Sequence, residues 1–188
     1  MGTMLQAAGL KLGARPEELN ITDPALIEGI HGQYAAAGSR IVNANTFGAS
    51  AHKLAGSAYT LEQVITAGIE NCKRACAPYG ALTALDVGPL GELLEPSGTL
   101  AFEDAVAEYV RIVKAGEAAG ADLIFFETYT DLYELKAALL AAKENTRLPI
   151  LASMSFEAGG RTFTGCTVES FAATARGLGA GRRGHQLL

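Results

Sequence analysis

Polar side chains stand at the ends of four short apolar runs in this sequence, where they could do chemistry together. The runs are Arg40–Phe47, Ala81–Val87, Asp122–Thr128 and Pro149–Phe156. Their polar residues are Asn43, Asn45, Thr46, Asp86, Glu127, Thr128, Ser153 and Ser155. An acid that follows Leu123–Phe126 is costly to bury without a partner, so Glu127 is the strongest candidate for a binding residue. For Asp86, a site role and the capping of a loop are both open.

Cysteines and histidines offer fewer candidates. Cys72 and Cys76 lie on or beside the apolar face of a predicted helix, where packing is expected and metal binding is the minor alternative. Cys166 follows the fourth run, on the side of the site, and a ligand role is the lesser alternative there too. His31 is expected to be packed or solvated, whereas His52, after the loop that follows the first run, is a candidate rim contact.

The four runs have the length and composition of buried strands, and helix-length amphipathic stretches separate them. Thr22–Pro24 opens one helix, Thr60 with Gln63 forms the capping box of the next, and a third carries Phe102–Val113. Asp131 with Glu134 opens the fourth, and a fifth begins near Thr167 and ends near Gly177. Alternating helices and strands predict a parallel sheet covered by helices.

Two arrangements of such a sheet are open to this pattern. The doubly wound form usually carries a glycine-rich phosphate turn after its first strand, and no such motif follows any strand here. Polar residues that meet from several strand ends are typical of a (β/α)₈ TIM barrel, which takes ~250 residues. We therefore expect an incomplete α/β barrel that lacks its first strand and strands six to eight.

Composition excludes several classes of protein. The chain has 188 residues, of which 49% are hydrophobic and 19% charged, with a net charge of −5. It is too apolar to be disordered and too acidic for a nucleic-acid surface. The sequence has neither the ~18-residue apolar run of a membrane span nor a signal peptide at its start. Three cysteines make a disulfide framework unlikely, which indicates a cytoplasmic protein.

An ordered set of short segments resembles the homocysteine S-methyltransferase family, in the form found at the N-terminus of cobalamin-dependent methionine synthase. The likeness covers about residues 1–180. The segments are Met1–Gln6, Asn43–Ala49, Asp86–Pro89, Gly91–Pro96, Phe126–Thr128, Lys136–Ala138, Ala142–Thr146 and Gly160–Gly165.

The resemblance implies a (β/α)₈ barrel in which three cysteine thiolates hold zinc and homocysteine sulfur takes the open position. A zinc-bound thiol stays deprotonated and can attack a methyl donor. By the same resemblance, Glu127 binds the homocysteine ammonium group, and Asn45, Thr46 and Asp86 line the substrate. Gly2 and Thr3 match the end of the family's D-G-A-M-G-T loop.

The resemblance also implies cofactors and partners outside this chain. The methyl donor is methylcobalamin, recharged from methyltetrahydrofolate by the cobalamin and folate modules of the full-length enzyme. Related domains use betaine or S-methylmethionine instead, so that type of enzyme is an alternative. We expect homocysteine as the small-molecule partner, and neither a nucleic acid nor a membrane. An unrelated barrel enzyme with a phosphate site is a further alternative, which the ordered segments disfavour.

The last eight residues depart from the family. Residues 1–180 match the barrel domain. The family then continues as D-A-V-G-I-N-C-S, and the Cys of this segment is the first zinc ligand. This chain instead reads G-R-R-G-H-Q-L-L from Gly181 to Leu188. One extra G in front of a coding sequence for the family segment gives this ending at every position. We expect a frameshifted tail over 181–188 in which His185 has no evolved role, a naturally divergent tail being the alternative. Such a product lacks the zinc cysteines and is expected to be inactive.

Overall fold

Four parallel strands in sequential order form the sheet of this protein. The computed structural model describes residues 1–11 and 13–181. The strands are β1 (Ile41–Asn43), β2 (Leu82–Val87), β3 (Leu123–Tyr129) and β4 (Ile150–Met154), and each pairs with the next. All four predicted strands and their parallel pairing are confirmed, although β1 is shorter than the predicted run. An order that never reverses favours a segment of a barrel over a doubly wound sheet.

Seven α-helices accompany the strands in the described part of the chain. They are α1 (Gly2–Ala7), α2 (Leu19–Thr22), α3 (Pro24–Ala36), α4 (Leu61–Cys76), α5 (Phe102–Ala118), α6 (Leu132–Asn145) and α7 (Val168–Gly177). The five predicted helices correspond to α3–α7. The short helices α1 and α2 were not predicted, because neither is long enough to show a hydrophobic period. None of the described helices is both long and apolar enough to cross a lipid bilayer.

The side chains at the helix starts act as the sequence predicts, with one difference. Asp23, Thr60 and Thr167 each accept a hydrogen bond from a backbone N–H of the first turn, and Gln63 completes the capping box. Asp131 likewise caps α6, accepting from the N–H of Tyr133. Glu134, however, points into the protein instead of serving the helix start, and it is only 4% exposed.

A repeated turn ends three helices, and two of these turns lead into the strands β1 and β3. Gly38, Gly120 and Gly179 each have a positive φ, and each ends a helix in the left-handed conformation that glycine adopts without strain. After the third turn, the N–H of Gly181 donates to the carbonyl of Ile150 in β4 at 3.0 Å. The equivalent bond before β2 joins Leu82 N–H to Arg40 at 2.9 Å. The chain therefore returns to the sheet beside β4, and the predicted tail beyond Gly181 lies outside the described residues.

The main core lies between the sheet and α4, α5 and α6. Ile65, Ile69, Leu85 and Ile124 are fully buried there. Cys72 and Cys76 belong to the same core, in agreement with the packing expected of them. A second, smaller cluster joins Leu5 of α1 to Ile27 and Ile30 of α3, and it fixes the start of the chain against the rest.

A close approach at Gly68 of α4 gives a testable consequence. A Cβ atom there would lie 2.7 Å from Asn20 Nδ2 and 2.9 Å from Thr46 Cγ2. Gly68→Ala should therefore lower the free energy of unfolding by about 1–3 kcal/mol, the usual cost of overpacking. Gly29→Ala in α3 is the matched control, because nothing lies within 4 Å of its Cβ position. It should raise stability by about 0.5–1 kcal/mol. Urea unfolding measures both, and equal effects of the two substitutions would contradict the packing described.

Candidate functional site

Asp86 and Glu127 come together at the carboxyl ends of β2 and β3. The register pairs Asp86 with Phe125 and Val87 with Phe126, which places Glu127 one step further along the neighbouring strand. Both acids line a cavity of about 370 Å³, together with Met1, His31 and Asn43 among others. A second cavity of about 300 Å³ shares Met1, Asp86 and Glu127 with the first. The strand ends therefore build one polar recess around two carboxyl groups.

The Asp86 carboxyl group is buried beside a negative charge. The residue is 6% exposed, and its Oδ1 atom has no hydrogen-bond partner within residues 1–11 and 13–181. Burial, followed by the negative charge of half-buried Glu127, raises the pKa of Asp86 to about 9. At neutral pH Asp86 therefore holds a proton, and the Glu127 carboxyl group lies beside it at the wall of the same cavity. Such a recess suits a cation that donates hydrogen bonds.

Thr46 holds the strand that carries Asp86. Its hydroxyl donates to the Asp86 carbonyl at 2.8 Å and accepts from the Asp86 N–H at 3.1 Å. Asn45 is tied down behind it, donating to the Pro16 carbonyl and the Asn20 side chain. Asn45 lines the second cavity, but these bonds occupy both protons of its amide. The structure thus gives both residues a positioning task, and their predicted contact with substrate stays a prediction.

Gly2 and Thr3 begin a helix, whereas the resemblance placed them in a loop. The Met1 carbonyl accepts from the N–H groups of Met4 and Leu5, and burial of Leu5 supports this turn. Gly2 lines the second cavity, and Thr3 is exposed. The helical start therefore brings only Gly2 of the two to the recess.

An irregularity in β3 aims Glu127 at the cavity. Thr128 has a φ of 57°, and the pairing of β3 with β4 shifts register between Phe126 and Tyr129. A left-handed non-glycine residue costs roughly 1–2 kcal/mol, and bulges of this kind often lie beside functional sites. Ser153 Oγ accepts from the Thr128 N–H at 3.0 Å and supports the bulge. The sequence carries no signal for it beyond the polar pair Glu127–Thr128.

His31 belongs to the recess, although the sequence did not point to it. It lies on α3 and is 1% exposed, and its Nε2 atom lacks a hydrogen-bond partner in the part of the chain that is described. Burial, with a smaller effect of the N-terminal amino group, lowers the pKa of His31 to about 4, so the ring is neutral at physiological pH. His52, the predicted rim contact, instead pairs with Glu92 at 2.5 Å and lines neither cavity.

The described residues do not fit a zinc ion. Among them, no three His, Cys, Asp or Glu side chains lie close enough to hold a metal. The Cys72 and Cys76 sulfurs are 3.9 Å apart inside the core, and burial raises the pKa of both thiols, which disfavours the thiolate that zinc requires. Cys166 lies instead beside a separate cavity of about 540 Å³. That cavity is larger, but neither Asp86 nor Glu127 lines it, so we place the candidate site at the carboxyl pair.

Comparison with known proteins identifies similar sequences in one protein family and in two methionine synthases. The family model for homocysteine S-methyltransferase matches residues 1–182. Methionine synthase of Mycobacterium tuberculosis is 29% identical over 89% of this chain, and that of Mycobacterium leprae is 28% identical over 95%. The chain spans only 16% of the length of either enzyme.

Solved structures share the fold. The metallated form of the homocysteine methyltransferase MmuM from Escherichia coli superimposes with a TM-score of 0.83 at 22% identity, covering 95% of this chain and 68% of that one. Its apo form gives a TM-score of 0.74. The parallel sheet with its helices is therefore the fold of these neighbours.

The buried proton on Asp86 makes stability depend on pH. An acid whose pKa is about 9 in the folded protein and ~3.9 when unfolded binds more protons when folded, so stability falls as the pH rises between these values. Asp86→Asn should flatten that part of the stability profile, whereas Asp104→Asn at an exposed position of α5 should not. Urea unfolding from pH 4 to 9 measures this, and an unchanged slope in Asp86→Asn would contradict the assignment.

Proposed function

The chain belongs to the homocysteine S-methyltransferase family, and from that premise we propose that its carboxyl recess binds homocysteine by the ammonium group. The observation that carries the proposal is the pair formed by Asp86 and Glu127. One buried oxygen of Asp86 has no partner in residues 1–11 and 13–181, and both residues line the same cavity. An ammonium group supplies three N–H donors and a positive charge that is attracted to carboxyl oxygens.

Binding is coupled to the proton on Asp86. A bound ammonium group favours the charged form of a neighbouring carboxyl, so it lowers the pKa of Asp86 and releases its proton. Homocysteine affinity therefore rises with pH as long as the ligand's own amine stays charged. Glu127 supplies the charge at first contact, Thr46 holds Asp86 in place, and the neutral His31 ring closes one side of the cavity.

Activation of the sulfur is not assigned to any described side chain, and we derive no step through zinc. The proposed cofactors are those of the methionine synthase type, namely zinc, methylcobalamin and methyltetrahydrofolate, with the cobalamin and folate modules as partners in a cytoplasmic full-length enzyme. The 29% identity to methionine synthase supports this type. A donor such as betaine or S-methylmethionine is the second candidate, because the family description names homocysteine and no methyl donor.

We further propose that the ending from Gly181 is a shifted reading frame of the same domain. The bond from Gly181 N–H to the Ile150 carbonyl supports the proposal, because it brings the chain back to β4 at the point where the family continuation begins. The family continuation D-A-V-G-I-N-C-S would enter the sheet at that point. The nucleotide sequence around codon 181 and downstream decides between this and a divergent tail: an in-frame ending without homologous coding sequence beyond it would refute the shift.

The ammonium contact can be tested by binding alone. Glu127→Gln removes the charge but keeps the shape, and it should weaken L-homocysteine binding about 10–100-fold, as the loss of a charge-assisted hydrogen bond does. Glu103→Gln, on the exposed start of α5, is the matched control and should leave binding unchanged.

Isothermal titration calorimetry measures both variants against L-homocysteine and its desamino analogue. The analogue should bind wild type and Glu127→Gln equally weakly, because it has no ammonium group. Equal binding of homocysteine by wild type and Glu127→Gln would refute the proposed contact.

A further inference from the structure

The loop that follows Asp86, which we define as the β2 loop (Gly88–Leu90), is held by polar contacts from several parts of the chain. The backbone N–H and carbonyl groups of this loop form hydrogen bonds with Phe47, Ser50, Lys53, Tyr129 and Glu134. The Gly88 N–H donates to Phe47, and its carbonyl accepts from Tyr129. A loop bonded at successive residues has little freedom to shift, and Asp86 lies two residues before it.

Glu134 connects the two ends of this loop. Its Oε1 atom accepts from the Leu90 N–H at 2.7 Å and from the Tyr109 hydroxyl at 2.9 Å. The Tyr109 oxygen lies 3.0 Å from the Tyr129 hydroxyl, which donates to the Gly88 carbonyl at 3.1 Å. The single Tyr129 proton can go to Gly88 or to Tyr109, so Glu134 holds Leu90 directly and meets the Tyr129 hydroxyl, beside Gly88, at the Tyr109 oxygen.

Holding this loop with a buried carboxyl group costs desolvation free energy. Glu134, Tyr109 and Tyr129 are all buried, and burial raises the pKa of each. Asp131 adds to the effect on Glu134, while the Leu90 and Tyr109 hydrogen bonds and Lys53 oppose it. Apolar residues of similar volume commonly replace buried charged groups without loss of stability. The position therefore calls for an explanation other than stability.

We propose that Glu134 is a positioning residue that sets the Asp86 carboxyl group against Glu127, acting through Leu90 and through Tyr109 and Tyr129 on the β2 loop. The proposal rests on the proposed function and deepens it, since Asp86 and Glu127 line the recess proposed to bind homocysteine. The placement of Asp86 can nevertheless be measured without any ligand. Besides Glu127, the titratable groups of the described chain that face this recess are His31 and Tyr34 of α3, the amino group of Met1 and Glu17, which lines the second cavity.

The experiment compares Glu134→Leu, which removes both contacts, with Glu134→Gln, which keeps an acceptor for Leu90. Carbon-13 NMR of the Asp86 carboxyl group reports its pKa in the intact chain. In Glu134→Leu the freed loop should let the Asp86 carboxyl group reach water, and its pKa should fall from about 9 by about one unit or more. In Glu134→Gln it should stay within about half a unit of the wild-type value.

Leu135→Ala, at the adjacent fully buried position of α6, is the control for general loosening. It should lower the melting temperature without moving the Asp86 titration. An Asp86 pKa that Glu134→Leu leaves in place, or that Leu135→Ala shifts equally, overturns the proposal. If Glu134→Leu does not fold, Tyr129→Phe removes the hydroxyl that contacts Gly88 and Tyr109 but leaves Glu134 on Leu90. It should shift the pKa in the same direction by a smaller amount; no shift there also overturns the proposal.

Homocysteine binding, measured on the same samples, separates this proposal from the proposed function. A wild-type protein that binds no homocysteine, but whose Asp86 titration follows the predicted order of variants, refutes the function and supports the positioning role. If homocysteine binds but the Asp86 pKa is the same in the wild type and in the Glu134 variants, the proposed function is supported and the positioning role is refuted.

Discussion

Burial of one carboxyl group beside another is the constraint on which this site depends. Asp86 and Glu127 could avoid each other by turning to solvent, yet the structure keeps Asp86 inside and leaves one of its oxygens without a partner in the described chain. Burial disfavours the ionised form of Asp86 and the negative charge of Glu127 adds to this effect, so Asp86 retains its proton and its pKa is raised to about 9. An arrangement that is costly when empty is favourable when a cation binds, and this relation is the physical basis for the proposed ammonium site.

The surrounding fold holds this pair in place. Parallel pairing brings the carboxyl ends of β2 and β3 to one edge, the Thr46 hydroxyl bonds to both backbone groups of Asp86, and the bulge at Thr128 directs Glu127 inward while Tyr129 returns to the core. Buried amides behind Thr46 hold the loop after β1, since Asn20 and Asn45 bond to each other. Small changes far from the recess, such as a methyl group at Gly68, are therefore expected to reach it through Thr46.

Much of the fold followed from the sequence because its signals are local. Apolar runs gave the strands, and the capping residues Asp23, Thr60 and Thr167 gave the starts of long helices. Glu127 and Asp86 stood out as acids at the ends of buried strands. His31 and Glu134 did not, because their roles arise from contacts with distant parts of the chain: His31 faces the recess from α3, and Glu134 bonds to Leu90 across 44 positions. The helical start of the chain was also missed, since its support comes from the distant residues Ile27 and Ile30.

Proton release on binding tests the central claim most directly. Calorimetric titration of the protein with L-homocysteine at pH 7, in buffers of different ionisation enthalpy, gives the number of protons exchanged per ligand bound. We predict the release of nearly one proton per homocysteine, lost from Asp86, and a strong reduction of that release in Asp86→Asn. Binding of homocysteine without net proton release, or with the same release in Asp86→Asn, would contradict the account.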